Sequence, residues 1–146
     1  MQQLALIEAN ETDSEVIRRH VTLPFTPPSK NVYDSWQPLW KAGLRKKWRR
    51  HLLEAFEELQ FPVGAEEVGV AFRLVFGSKR RRDWQNYAPV LYHVVPDALV
   101  TYGVIPDDTP DRFKVGPNGG IEFGVDSRPV APKLRQRTEI AFAIRV

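Results

Sequence analysis

The chain has 146 residues, 42% hydrophobic and 27% charged, which fits one globular domain around one core. It contains no cysteine, so disulfides, zinc–thiolate centres and thiol nucleophiles are excluded. The formal charge is only +3, but Lys and Arg gather in 41–50, 79–82 and 133–137, a distribution that points to a polyanionic partner more than the total does.

Residues 1–20 are polar and acidic and read as an N-terminal extension or a short first strand, with 21–146 as the main domain. Met1 to Arg19 lacks the basic-then-apolar pattern of an export leader. No apolar run is long enough to span a bilayer, so no membrane partner is expected and the cytoplasm is the expected compartment. Val21–Phe25 is a strand candidate that Pro24 confines to an edge or cuts short. Pro27-Pro28 forces a loop up to Asn31, which leads into Val32–Leu39 with Tyr33 and Trp36.

Ala42 to Gln60 is the clearest helix. Trp40, Leu44, Trp48, Leu52, Ala55, Phe56 and Leu59 recur at three- and four-residue spacing and form one apolar stripe. Pro62 and Gly64 stop it. Val68, Val70, Phe72, Leu74 and Phe76 alternate with smaller or polar residues and define a strand with one apolar face. A helix is expected over 84–102, with Asp83 before its first turn and Pro96 kinking or splitting it. Val104–Pro110 is a loop. Gly116-Pro117-Asn118-Gly119-Gly120 is a turn between short strands at 112–115 and 121–125, and Ile140, Phe142, Ile144 and Val146 close the chain as a strand. The order β-α-β-α-β-β-β implies an α+β (mixed α/β) fold: one compact domain, a mixed sheet and two main helices packed on it.

The chemistry concentrates after the central strand. Asp83 follows Lys79-Arg80-Arg81-Arg82 and is both a candidate metal ligand and an obvious helix cap. Gln85 and Asn86 offer neutral carbonyl oxygens beside it. Asp107-Asp108 is the second acidic site; adjacent carboxylates repel and are easier to hold near a cation, though Asp-Asp-Thr-Pro is also an ordinary solvated turn. Asp97 reads as structural. The cations Lys79, Arg80, Arg81 and Arg82, with Lys30, Lys46, Arg49 and Arg50, are candidate phosphate contacts. Tyr33, Trp36 and Trp40 could stack on unpaired bases, but Trp40 and Trp48 fit the helix core better. His51 and His93 have no ligand or triad spacing.

Taken in order, these residues resemble the RusA family of Holliday junction resolvases. The resemblance runs from Thr22-Leu23-Pro24-Phe25-Thr26-Pro27-Pro28-Ser29-Lys30-Asn31, through Arg81-Arg82-Asp83-Trp84-Gln85-Asn86, to Asp97-Ala98-Leu99, Gly103 and Asp107-Asp108, and covers most of the chain beyond residue 20. It implies a homodimeric endonuclease of bacterial or phage origin that resolves four-way junctions or other branched DNA in recombination and repair. The implied cofactor is Mg²⁺, with Mn²⁺ as the alternative ion. The implied catalytic acids are Asp83 and Asp108, with Gln85 and Asp107 completing the metal site. Two positions depart from the family pattern: Gln85 stands in place of its second acid, and Pro89 at the spacing of its lysine. An impaired relative that binds branched DNA without cleaving it is the alternative expectation.

Overall fold

The alternating apolar residues of 67–76 build the strand around which everything else is arranged. The computed structural model describes residues 15–146. Its strands are β1 (Val16–Leu23), β2 (Glu67–Phe76), β3 (Phe113–Val115), β4 (Ile121–Val125) and β5 (Arg137–Arg145). They form one mixed sheet in which β5 lies between β1 and β2, antiparallel to both. On the far side of β2, β3 pairs in parallel with Val68–Val70, and β4 pairs in parallel with Phe72–Phe76. The helices are α1 (Lys30–Asp34), α2 (Pro38–Glu58), α3 (Ala88–Tyr102) and α4 (Pro132–Arg135). The mixed α/β domain expected from the element order is the fold found. Among the described residues, no helix is long and apolar enough to cross a membrane.

The core lies between the sheet and the two long helices. Trp48, Leu52 and Phe56 of α2, and Leu91, Val95 and Leu99 of α3, are buried against Phe72 and Leu74 of β2 and Ile140, Phe142 and Ile144 of β5. Phe56 stacks on Phe61 at 4.3 Å and meets Phe142 edge-on at 5.7 Å, a geometry that aromatic quadrupoles favour.

Several elements differ from expectation for identifiable reasons. β1 begins at Val16, so the last part of the supposed extension is sheet; residues 1–14 lie outside the described residues. Its alternation is hidden because Arg19 sits among inward positions, where its Nε donates to the carbonyl of Leu59 at 2.9 Å. Pro24 follows directly, as an edge strand permits. The loop expected up to Asn31 is cut short by α1, which begins at Lys30 and is capped by the Ser29 hydroxyl. α2 starts at Pro38, a favoured first-turn position. Trp40, placed on the apolar stripe from spacing, is 60% exposed; at 3.6 residues per turn it lies about 120° around the helix from Leu52. The single helix expected over 84–102 is a 3-10 turn at 84–86 followed by α3, which then runs unbroken through Pro96.

The glycine-rich passage 116–120 does not reverse the chain. β3 and β4 run in the same direction, and the passage steps from one to the other along the same edge of β2. Asn118 and Gly119 are left-handed. A Cβ on Gly119 would strike the Tyr92 hydroxyl and the Trp84 ring, and one on Gly120 would come within 3.0 Å of the Val70 carbonyl oxygen. Only glycine lets the chain pass this close to α3 and β2.

Candidate nucleic-acid interface

Asp83 is reached by a short loop from the end of β2. Arg82 ties that loop down: its guanidinium lies 3.8 Å from the Phe76 ring centroid, and its Nη1 donates to the Ser78 carbonyl at 3.0 Å. The loop then enters the 3-10 turn, where one Asp83 carboxylate oxygen accepts from the Gln85 backbone N–H at 3.0 Å. The capping role is therefore real, although the capped element is this turn and not α3 itself. Asp83 and Gln85 are exposed. Asp83 borders a shallow cleft of about 410 Å³ with Arg81, Arg82, Trp84, Asn118, Ile121 and Phe123. Asn118 is a cleft residue that sequence reading missed; its only signal was the turn it starts, which explained it well enough without a site.

Asp107 and Asp108 are also exposed. Asp107 closes an Asx turn by accepting from the Thr109 hydroxyl at 2.9 Å and the Thr109 N–H at 3.3 Å, and Arg112 lies 3.5 Å away. The Thr109 hydrogen bonds, helped by Arg112, hold its carboxyl below the usual aspartate range. Glu66, Glu67 and Asp111 share the surface with Asp107 and Arg112, and Glu67 is itself held by Lys114 at 2.6 Å and Arg145 at 2.8 Å.

The two acidic sites do not meet within one chain. The Arg112 carbonyl accepts from the Val68 N–H at the start of β2, and Phe113 pairs with Val68, whereas the Asp83 cleft is lined by Ile121 and Phe123, which pair with Phe72 and Leu74. That step of ~4 strand residues is roughly 13 Å at ~3.3 Å per residue. α3 gives the same answer: it separates Asp83 from Gly103, and its 15 residues extend roughly 22 Å at ~1.5 Å each. Mg²⁺ holds its oxygens at ~2.1 Å, so two ligands of one ion lie no more than about 4 Å apart. A Mg²⁺ ion shared by Asp83, Gln85, Asp107 and Asp108 of a single chain does not fit this geometry, and that expectation is corrected. Among the described residues, no three His, Asp or Glu side chains gather at one point.

The candidate phosphate contacts divide into tied and free cations. Arg49 pairs with Asp97 of α3 at 2.8 Å, which gives Asp97 the structural role expected of it, and Lys30 pairs with Asp34 at 2.8 Å. Arg82 is committed to its loop. Lys79, Arg80, Arg81, Lys46 and Arg50 are exposed and form no ion pair among the described residues. Of the histidines, His51 packs edge-on against Phe25 at 5.0 Å, in keeping with a structural role.

A second charged cluster escaped sequence reading. Asp126, at the end of β4, is 7% exposed at its side chain and is held by Arg128 at 2.7 Å and Arg137 at 3.0 Å. Arg137 also pairs with Glu139 at 2.8 Å, and Glu139 faces Arg73 at 3.5 Å. Arg128, then the backbone N–H of the same residue, then Arg137 hold the Asp126 carboxyl far below the ordinary range. The network fastens the passage 126–136 to the end of the sheet, which Arg135 reinforces by donating to the Gly77 carbonyl at 3.2 Å. It joins three separate stretches of the chain, Arg73, Asp126 with Arg128, and Arg137 with Glu139, so spacing gave no sign of it. Compared with known proteins, the chain matches no family model and no curated sequence.

Proposed function

We propose that the chain is a RusA-like protein that binds branched DNA as a homodimer and, with Mg²⁺, cuts it where Asp83 of one protomer meets Asp108 of the partner subunit. The observation that carries this reading is the position of the acids. Arg81 lines the Asp83 cleft, and Lys79 and Arg80, which form no ion pair among the described residues, precede it in the chain. Asp107 and Asp108 lie at the other end of β2, where, with Glu66, Glu67 and Asp111, the acids outnumber Arg112, Lys114 and Arg145. A two-fold pair can set each basic rim against the other copy's acidic end, twice over. The same symmetry suits the paired strands of a four-way junction. Arginines would position phosphates by charge, with little reading of bases. The lack of cysteine is compatible with a cytoplasmic protein; bacterial or phage origin follows from the resemblance alone.

A second reading, binding without cutting, is favoured by a different observation. One Asp83 oxygen already caps the 3-10 turn, the neighbouring position is the uncharged Gln85, and Pro89 occupies the exposed start of α3. One assay separates the two. Labelled four-way junction and matched duplex are incubated with the protein in Mg²⁺, Mn²⁺ or EDTA, alongside Asp83→Asn and Asp108→Asn. Metal-dependent cutting lost in both variants supports the nuclease; tight junction binding with no cutting supports the binding module. No preference for junction over duplex removes both.

A further inference from the structure

The outward face of α2 carries a combination that the fold does not need. Leu39 is 78% and Trp40 60% exposed. Along the same side run Gly43, Lys46 and Arg50, opposite the buried Trp48, Leu52 and Phe56, with Lys47 at its border, where its ammonium turns over the Phe25 ring at 4.3 Å. Glu54, one turn past Arg50, ends the cationic run.

Two features of this face lack an explanation within the chain. Glycine in an exposed helix interior weakens the helix relative to alanine. A Cβ on Gly43 would meet nothing within 4 Å, so no close neighbour requires the glycine. It leaves a notch between the apolar and cationic parts of the face. Trp40 is also buttressed. It meets Trp36 edge-on at 6.4 Å, and Trp36 leans on Tyr33 at 5.9 Å. Tyr33 is fixed in turn by the Arg45 Nη1, which donates to its hydroxyl at 2.9 Å, and by Lys41 over its ring. A large aromatic side chain held rigid while much of it faces solvent is preorganised for a flat ligand.

We propose that this face of α2 holds an unpaired single-stranded segment of DNA. A base stacks on Trp40, the sugar–phosphate backbone passes close over Gly43, and Lys46 and Arg50 contact the phosphates. The inference rests on the DNA-binding reading above and names a site that reading does not contain. A second copy of the chain is the poorer occupant, because a two-fold contact through this face would bring Lys46 and Arg50 against their own counterparts.

The test is fluorescence anisotropy with a labelled ten-nucleotide thymidine strand and, separately, a fully paired four-way junction. Trp40→Ala weakens binding of the single strand by roughly tenfold, the size expected for loss of one stacked base, and Trp40→Phe largely restores it. Gly43→Gln separates function from folding: it raises the melting temperature by roughly 3 °C yet weakens the single strand by a comparable factor. Lys46→Ala combined with Arg50→Ala flattens the salt dependence of single-strand affinity by roughly 1.4 log units per decade, at ~0.7 per phosphate. Wild-type protein that binds the paired junction but not the thymidine strand overturns the inference and leaves the DNA-binding reading standing. So do single-strand affinities unchanged by Trp40→Ala and Gly43→Gln, or a dimer that Trp40→Ala converts to monomer. Wild-type protein that binds neither DNA overturns both.

Discussion

At one end of β2, Asp83 sits among free cations and gives one carboxylate oxygen to a turn; at the other, Asp107 and Asp108 sit among acids, and Asp107 gives its oxygen to Thr109. Both ends therefore use aspartate to satisfy local backbone donors, and both leave acidic side chains facing solvent. The difference is in what surrounds them. Asp83 forms no ion pair among the described residues although Arg81 and Arg82 line its cleft, whereas at the other end Arg112 lies 3.5 Å from Asp107, and Lys114 and Arg145 hold Glu67 at 2.6 and 2.8 Å. Asp108 forms no ion pair among the described residues and is the acid of its pair that a cation from outside, a metal ion or the basic rim of another protomer, would serve. An acidic motif thus has to be judged by its neighbours in space before its chemistry can be assigned.

Loss of either acid has the greatest consequence. Asp83→Asn and Asp108→Asn each reduce metal-dependent cutting of a four-way junction by roughly a thousandfold, as loss of several kcal/mol of charge stabilisation requires. Both keep junction binding, which gel shifts in EDTA would check. If one acid is dispensable, the two ends do not act together.

A structural change should damage one end alone. Gly119→Ala forces a side chain into Tyr92 and Trp84 at a left-handed position, next to the wall of the Asp83 cleft. It destabilises the protein by about 2–4 kcal/mol in denaturant titration. Hydrogen exchange should rise around 84–92 and 116–121 before it rises at 104–112. Uniform loosening would mean that the ends are not separate units.

Free and tied cations sharpen the contrast further. Arg81→Ala lowers junction affinity and flattens its salt dependence by ~0.9 for each phosphate it no longer neutralises. Arg49→Ala, whose guanidinium is engaged by Asp97, costs under about 1 kcal/mol of stability and changes the salt dependence less. Equal effects on binding would show that the Arg49–Asp97 pair opens on DNA.

The smallest expected effect concerns acid. Arg128 and Arg137 depress the Asp126 carboxyl, so its folded form holds a proton less readily than the unfolded chain. Its contribution is complete above the unfolded value of about 3.9 and is lost as pH falls toward the lower folded value. Wild-type denaturant midpoints therefore fall between about pH 4 and pH 2, and Asp126→Asn flattens part of that slope. An unchanged slope would remove Asp126 from the account of acid sensitivity.

Sequence periodicity was sufficient for β2, β5 and the two long helices because the large apolar side chains repeat on one side at the period of each element, even though smaller residues on the other face of β2 and β5 are buried too. It failed where a polar side chain reaches a backbone partner, as Arg19 does in β1, and where tertiary approach decides direction, as at Gly119 and Gly120. The same limit governed the site. Arg82-Asp83 and Asp107-Asp108 were visible as motifs, but spacing treated them as neighbours. The helix between them spans the sheet and carries the chain away from Asp83, and its length alone was a warning. Trp40 shows the reverse error: helical spacing assigned it to the core, while its angle around α2 leaves it outside.

The claim that the two acids work only across protomers is tested most directly by mixing inactive chains. Asp83→Asn and Asp108→Asn proteins are unfolded together, refolded, and assayed on a junction labelled on one strand. Neither variant cuts alone, while the mixture regains roughly a quarter of wild-type composite sites, since random pairing gives half mixed dimers with one intact site of two. A mixture as silent as its components, beside an active wild type, would contradict that claim.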